Sequence, residues 1–125
     1  MKRFATLLLV LALACGCSAP KAEQGRVRHI ILWTLQDNLP ESQKLELMES
    51  TAADIAALQE SVPGAVSLKM LYEGRLESSN CDFMFEFVFE SEEALAAFAE
   101  NPDHLAAAAR IKPYISGRVC LDIAD

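Results

Sequence analysis

Two histidines, four cysteines and one tryptophan leave this 125-residue chain few groups for metal or acid–base chemistry. Cys15 and Cys17 fall in the opening segment, so Cys81 and Cys120 alone remain for a folded domain. Without a CxxC pair or a histidine-rich tract, neither a zinc site nor a disulfide framework is indicated, and no metal or cofactor is expected. Basic residues are also scarce: 11 Lys and Arg stand against 18 Asp and Glu, a net charge of −7. No basic stripe interleaves with aromatic residues, which makes attraction to phosphate backbones unfavourable and excludes nucleic acid as a partner. No apolar run approaches the roughly 20 residues that a helix needs to cross a membrane.

The longest apolar run has another meaning. Lys2 and Arg3 form a short basic start, Phe4 to Ala14 is apolar but for Thr6, and the small residues Ala14 and Gly16 precede Cys15 and Cys17. That is the plan of a secretory signal. A cysteine directly after the small residues matches the bacterial lipobox, in which the new N-terminal cysteine is acylated. Cys17, followed by polar Ser18-Ala19-Pro20-Lys21, is the expected acceptor, and Cys15 is the alternative. The chain then divides into a signal peptide (1–16), a tether (17–25) and one domain (26–125). Its expected place is the bacterial cell envelope on the extracytoplasmic side, held to the membrane through the lipid anchor only. Loss of Lys2 and Arg3 leaves a net charge of −9 on 109 residues, enough chain for one core.

Within the domain, Val27 to Leu35 is rich in β-branched and aromatic residues and reads as a buried strand. Leu45, Met48, Ala52, Ile55 and Leu58 recur near helical spacing between Pro40 and Gln59, and Val62-Pro63-Gly64 stops that helix. Val66, Leu68, Met70 and Tyr72 alternate as a second strand, and a polar loop runs to Asn80. Phe83, Phe85, Phe87 and Phe89 share one face of a third strand and demand burial. Ser91 caps a second helix, Asn101-Pro102 interrupts it, and a shorter helix restarts at Pro102. Val119, Leu121 and Ile123 mark a last strand.

Strand, helix, strand, strand, helix, strand is the split βαβ, or ferredoxin-like, α+β arrangement. The expected four-stranded sheet has the order fourth, first, third, second, the first and third strands parallel, and both helices on one face. Ile30, Leu32, Met84 and Val88 then load the other face with apolar surface that a partner should cover.

Several short stretches resemble one family in order and spacing. They are His29-Ile30-Ile31-Leu32-Trp33, Val62-Pro63-Gly64, Phe89-Glu90-Ser91-Glu92-Glu93-Ala94-Leu95, Asn101-Pro102-Asp103-His104-Leu105 and Ile111-Lys112-Pro113. Together they look like the stress-responsive A/B barrel (Dabb) family, across about residues 27 to 123. The resemblance implies a homodimer, a dimeric α+β barrel in which two sheets face each other. A plant polyketide cyclase of the family uses histidines at positions that match His29 and His104. Where the family often writes His-Pro-x-His, this chain has Asn101-Pro102-Asp103-His104, and the cyclase's tyrosine aligns with Phe98.

Three functional classes follow. The first is an envelope homodimer binding a small apolar ligand, with Trp33, Phe85 and Phe98 lining the pocket. The second is a cofactor-free enzyme, of cyclase, lyase or monooxygenase type, with His29 and His104 as a catalytic pair. The third is a structural or partner-binding lipoprotein in which both histidines merely pack.

Overall fold

The computed structural model describes residues 25–125. Cys15, Cys17, the expected signal peptide and all of the expected tether but Gly25 lie outside the described residues. The elements are β1 (Val27–Leu35), α1 (Glu41–Ser61), β2 (Ala65–Leu71), β3 (Phe83–Phe89), α2 (Glu92–Glu100), α3 (Pro102–Ile111) and β4 (Ile115–Ala124), with one 3-10 turn at Lys112–Tyr114. This is the expected βαββαβ order. Among these residues no helix is long and apolar enough to cross a membrane.

The sheet order is β2-β3-β1-β4. All three pairings are antiparallel, which corrects the expected parallel pairing of the first and third strands. Val27 lies opposite Phe89, and Trp33 opposite Phe83. The reason is connectivity. The β2–β3 hairpin reverses the chain, and the α1 crossover makes β1 and β2 parallel, so the strand inserted between them opposes both. With β1 between β3 and β4, Cys81 and Cys120 stay apart, and both thiols are free.

Alternation sets the core. Val27, Ile31, Trp33 and Leu35 of β1 and all four phenylalanines of β3 are buried beneath the helices. Phe85 stacks on Phe87 at 5.1 Å between ring centroids, and Trp33 meets Phe85 edge-on at 5.1 Å. Each such aromatic contributes roughly 1.5–3 kcal/mol by leaving water. On α1 the buried stripe is Thr51, Ile55 and Leu58, whereas Leu45 is exposed and Ala52 half-buried. Thr51 fits there because its hydroxyl donates to the Leu47 carbonyl at 2.6 Å.

Local signals fix the joints. The Ser91 hydroxyl accepts from the Ala94 N–H at 3.1 Å to start α2. Asn101 accepts from the N–H groups of Asp103 and His104 at 2.9 and 3.2 Å, so the break before Pro102 is a built helix start that positions His104. Gly64 has φ +76°, and a Cβ there would stand 2.6 Å from Ala94 Cβ. Buried Asp82 accepts from the Leu35 N–H at 2.6 Å and from Arg75 at 2.7 Å, tying the long loop to the end of β1.

The opposite face of the sheet carries Ile30, Leu32, Met84 and Val88. Register adds Leu121 and Val119, directly opposite Ile30 and Leu32, and Ile123 opposite Arg28. These three β4 side chains are exposed.

Candidate functional site

A cavity of about 290 Å³ lies between the aromatic face of the sheet and the helices. Its origin is a mismatch of side-chain size. Ala107 and Ala108 on α3 are buried along the cavity and exposed Ala99 of α2 stands at its rim, and methyl groups cannot reach across the gap that larger residues would fill. His29, His104, Trp33, Phe85 and Phe98 all line this cavity, so one site gathers every pocket residue named from the sequence.

The two histidines reach it by different routes. His29 is the third residue of β1 and points toward the helices, with its side chain 12% exposed. His104 sits in the first turn of α3 and stacks on Phe98, ring centroids 4.0 Å apart. They share an end of the sheet because β3 finishes beside the start of β1, and α2 begins there.

A third polar partner stands beside His29. Asp122 of β4 lies directly opposite it in the ladder, and its carboxylate contacts Nδ1 of the ring. A carboxylate only accepts, so Nδ1 carries the hydrogen, and in the neutral ring the lone pair is then on Nε2. Cys120, two residues earlier on the same strand face, places Sγ 3.8 Å from that same Nδ1.

Burial pushes the His104 ring below its ordinary value, so it favours the neutral form. The carbonyls of Phe98 and Ala99 oppose that shift, and nearby Lys112 and His29 add to it. His104 Nδ1 itself is buried without a hydrogen-bond partner. Trp33 Nε1 is in the same state. Two unpaired polar atoms thus belong to residues that line one mostly apolar cavity.

Residues 27–125 match the family model of the stress responsive A/B barrel domain. The chain belongs to the Dabb family. Solved structures agree on the Dabb fold. A dimeric ferredoxin-like protein of unknown function from Bacteroides fragilis is 24% identical, with a TM-score of 0.77 over 82% of this chain and 99% of that one. A dimeric ferredoxin-like protein from Thermobifida fusca is 26% identical, with a TM-score of 0.70 over 82% and 94%. A hydroxynitrile lyase from Passiflora edulis is 20% identical, with a TM-score of 0.66 over 81% and 94%. Among curated proteins there is no match. For this Dabb domain, sequence reasoning singled out both histidines but not Asp122 and Cys120. Only the pairing of β4 with β1 brings those two beside His29.

Proposed function

We propose that this Dabb protein is a lipid-anchored homodimer of the bacterial cell envelope whose cavity binds a small, mostly apolar molecule carrying a hydrogen-bonding oxygen. The observation that carries this reading is the pair of unpartnered buried atoms, Trp33 Nε1 and His104 Nδ1, on residues of a mostly apolar cavity. An unsatisfied buried polar group costs about 1–3 kcal/mol, which a ligand oxygen meeting the indole N–H would relieve. A volume near 290 Å³ suits a compact ligand at the lower end of ordinary pockets. The dimer reading is supported by the apolar face of the sheet and by the dimeric neighbours of the same fold. The anchor rests on the signal and lipobox pattern of residues 1–17.

The test is a thermal-shift panel of monocyclic aromatic and medium-chain alkyl ketones and phenols, together with mass spectrometry of molecules that co-purify with the native protein. At least one compound should raise the melting temperature of the wild type and do so less in Trp33→Phe, which lacks the N–H. No shift from the panel and no co-purifying molecule would remove the ligand reading.

The Asp122–His29 contact favours a second reading, a cofactor-free enzyme that moves a proton. Asp122 holds the ring, Nε2 of His29 acts as the base, and neutral His104 supplies a hydrogen-bonding group across the cavity. A relative of the same fold is named a hydroxynitrile lyase, so lyase substrates are the first to try.

A further inference from the structure

Cys120 and Asp122 stand two residues apart on the edge strand β4, so their side chains leave the same sheet face, and His29 lies directly opposite Asp122. Three different donor atoms converge there: His29 Nδ1, Cys120 Sγ and Asp122 Oδ1, all within 4.8 Å of one another. The sulfur is 3.8 Å from each of the other two. Zinc bonds of about 2.3 Å to sulfur and about 2.0–2.2 Å to nitrogen and oxygen place tetrahedral ligands roughly 3.4–3.6 Å apart. Sulfur therefore already stands near ligand spacing. Only the His29–Asp122 contact has to open, and the Asp122 side chain, 49% exposed on an edge strand, has room to rotate.

We propose that His29, Cys120 and Asp122 form a site for one divalent cation of the zinc class, with a fourth position left to water. The donor set is suited to it. Thiolate and imidazole select a borderline-soft ion over calcium or magnesium, and thiolate plus carboxylate balance its two positive charges. The thiol proton passes to water as the metal–sulfur bond forms. Exposed Cys120 and Asp122 give the ion a way in, and the strand pairing holds the backbone on which the ligands stand.

A cysteine nucleophile activated by a His–Asp relay is the competing use of the same three residues. It fails on geometry. A relay needs the thiol and the carboxylate on opposite ring nitrogens, whereas here both meet Nδ1. Convergence on one nitrogen is what a shared ion requires. Its chemical consequence reaches the other nitrogen: a cation on Nδ1 moves the ring proton to Nε2, which then donates where it had accepted.

The experiment is titration of the reduced full chain, solubilised in detergent under anaerobic conditions, with Co²⁺ and then Zn²⁺. Wild type should bind one Co²⁺ per chain with thiolate-to-cobalt charge-transfer absorption, and Zn²⁺ should displace it. Cys120→Ser should abolish the band and Cys81→Ser should keep it. Asp122→Asn should weaken binding by at least the roughly tenfold that loss of an outer-shell partner costs. Circular dichroism on each variant checks the fold. Folded wild type without the band, or a band that persists in Cys120→Ser, overturns the proposal. The titration contains no organic ligand, so its failure leaves the cavity reading standing, and failure of the ligand panel leaves the metal site standing.

Discussion

His29 and Asp122 face each other across the β1–β4 ladder, and the carboxylate accepts the Nδ1 hydrogen of the ring. If the domain is an enzyme, that contact fixes the tautomer of its base. Asp122→Asn replaces an obligate acceptor by an amide that can donate, which moves the ring proton toward Nε2. Turnover of a substrate should fall about 10²- to 10⁴-fold in this variant, and similarly in His29→Ala and His104→Ala. Melting temperature and dimer mass should change little in Asp122→Asn. Steady-state rates and thermal melts check this, and activity that survives all three changes makes the imidazoles structural.

Burial of His104 has a pH signature. Its folded-state value lies below the ordinary 6.5, so as pH falls the unfolded chain takes up this proton first. The contribution to stability is complete above the unfolded value and is lost as pH drops below it, levelling off once the folded ring is also protonated. Urea unfolding across a pH series should show this acid limb. His104→Phe keeps a ring against Phe98 and should flatten the limb.

The uncovered sheet face gives an assembly prediction. Light scattering on the domain from Arg26 onward should report twice the monomer mass. Leu32→Asp combined with Leu121→Asp places two charges on that face, the side of the sheet away from the cavity, and should yield a folded monomer. A wild-type domain that stays monomeric at micromolar concentration removes the barrel.

Two glycines separate backbone strain from steric contact. Gly64 and Gly74 have φ of +76° and +71°, but only at Gly64 does an added Cβ meet another atom, Ala94 Cβ at 2.6 Å. Gly74→Ala should cost about 1–2 kcal/mol from the left-handed backbone alone. Gly64→Ala should cost clearly more, read as a larger drop in melting temperature. Equal drops would mean that α2 shifts freely away from β2.

Mass spectrometry of the native N-terminus should find an acylated Cys17, or Cys15 in the alternative cut. An intact Met1, or a soluble unmodified N-terminus, removes the anchor.

Much of the fold was legible because its signals are short-range. Phe83 to Phe89 shows its period in seven residues, and Asn101-Pro102 announces both a break and a cap. Strand direction was less so: adjacency of β1 and β3 was anticipated, but their relative direction emerges only when the hairpin and the crossover are followed together. Asp122 and Cys120 look in sequence like the polar half of an alternating strand. Their link to His29 spans 93 and 91 residues, and no local pattern carries it. The alanines of α3 read as helix formers, yet their small size is what keeps the cavity open.

The two-residue period of β4 gives one strand two employments. Val119, Leu121 and Ile123 belong to the face that a second copy would cover, while Cys120 and Asp122 belong to the other and reach His29. Among the described strands β4 pairs only with β1, so an outer copy seated on it would clamp the ladder against fraying. Dilution would then act on the pocket from a distance. Occupancy of the site would depend on protein concentration as well as on ligand, and crowding these molecules onto a membrane surface would itself set how many are competent.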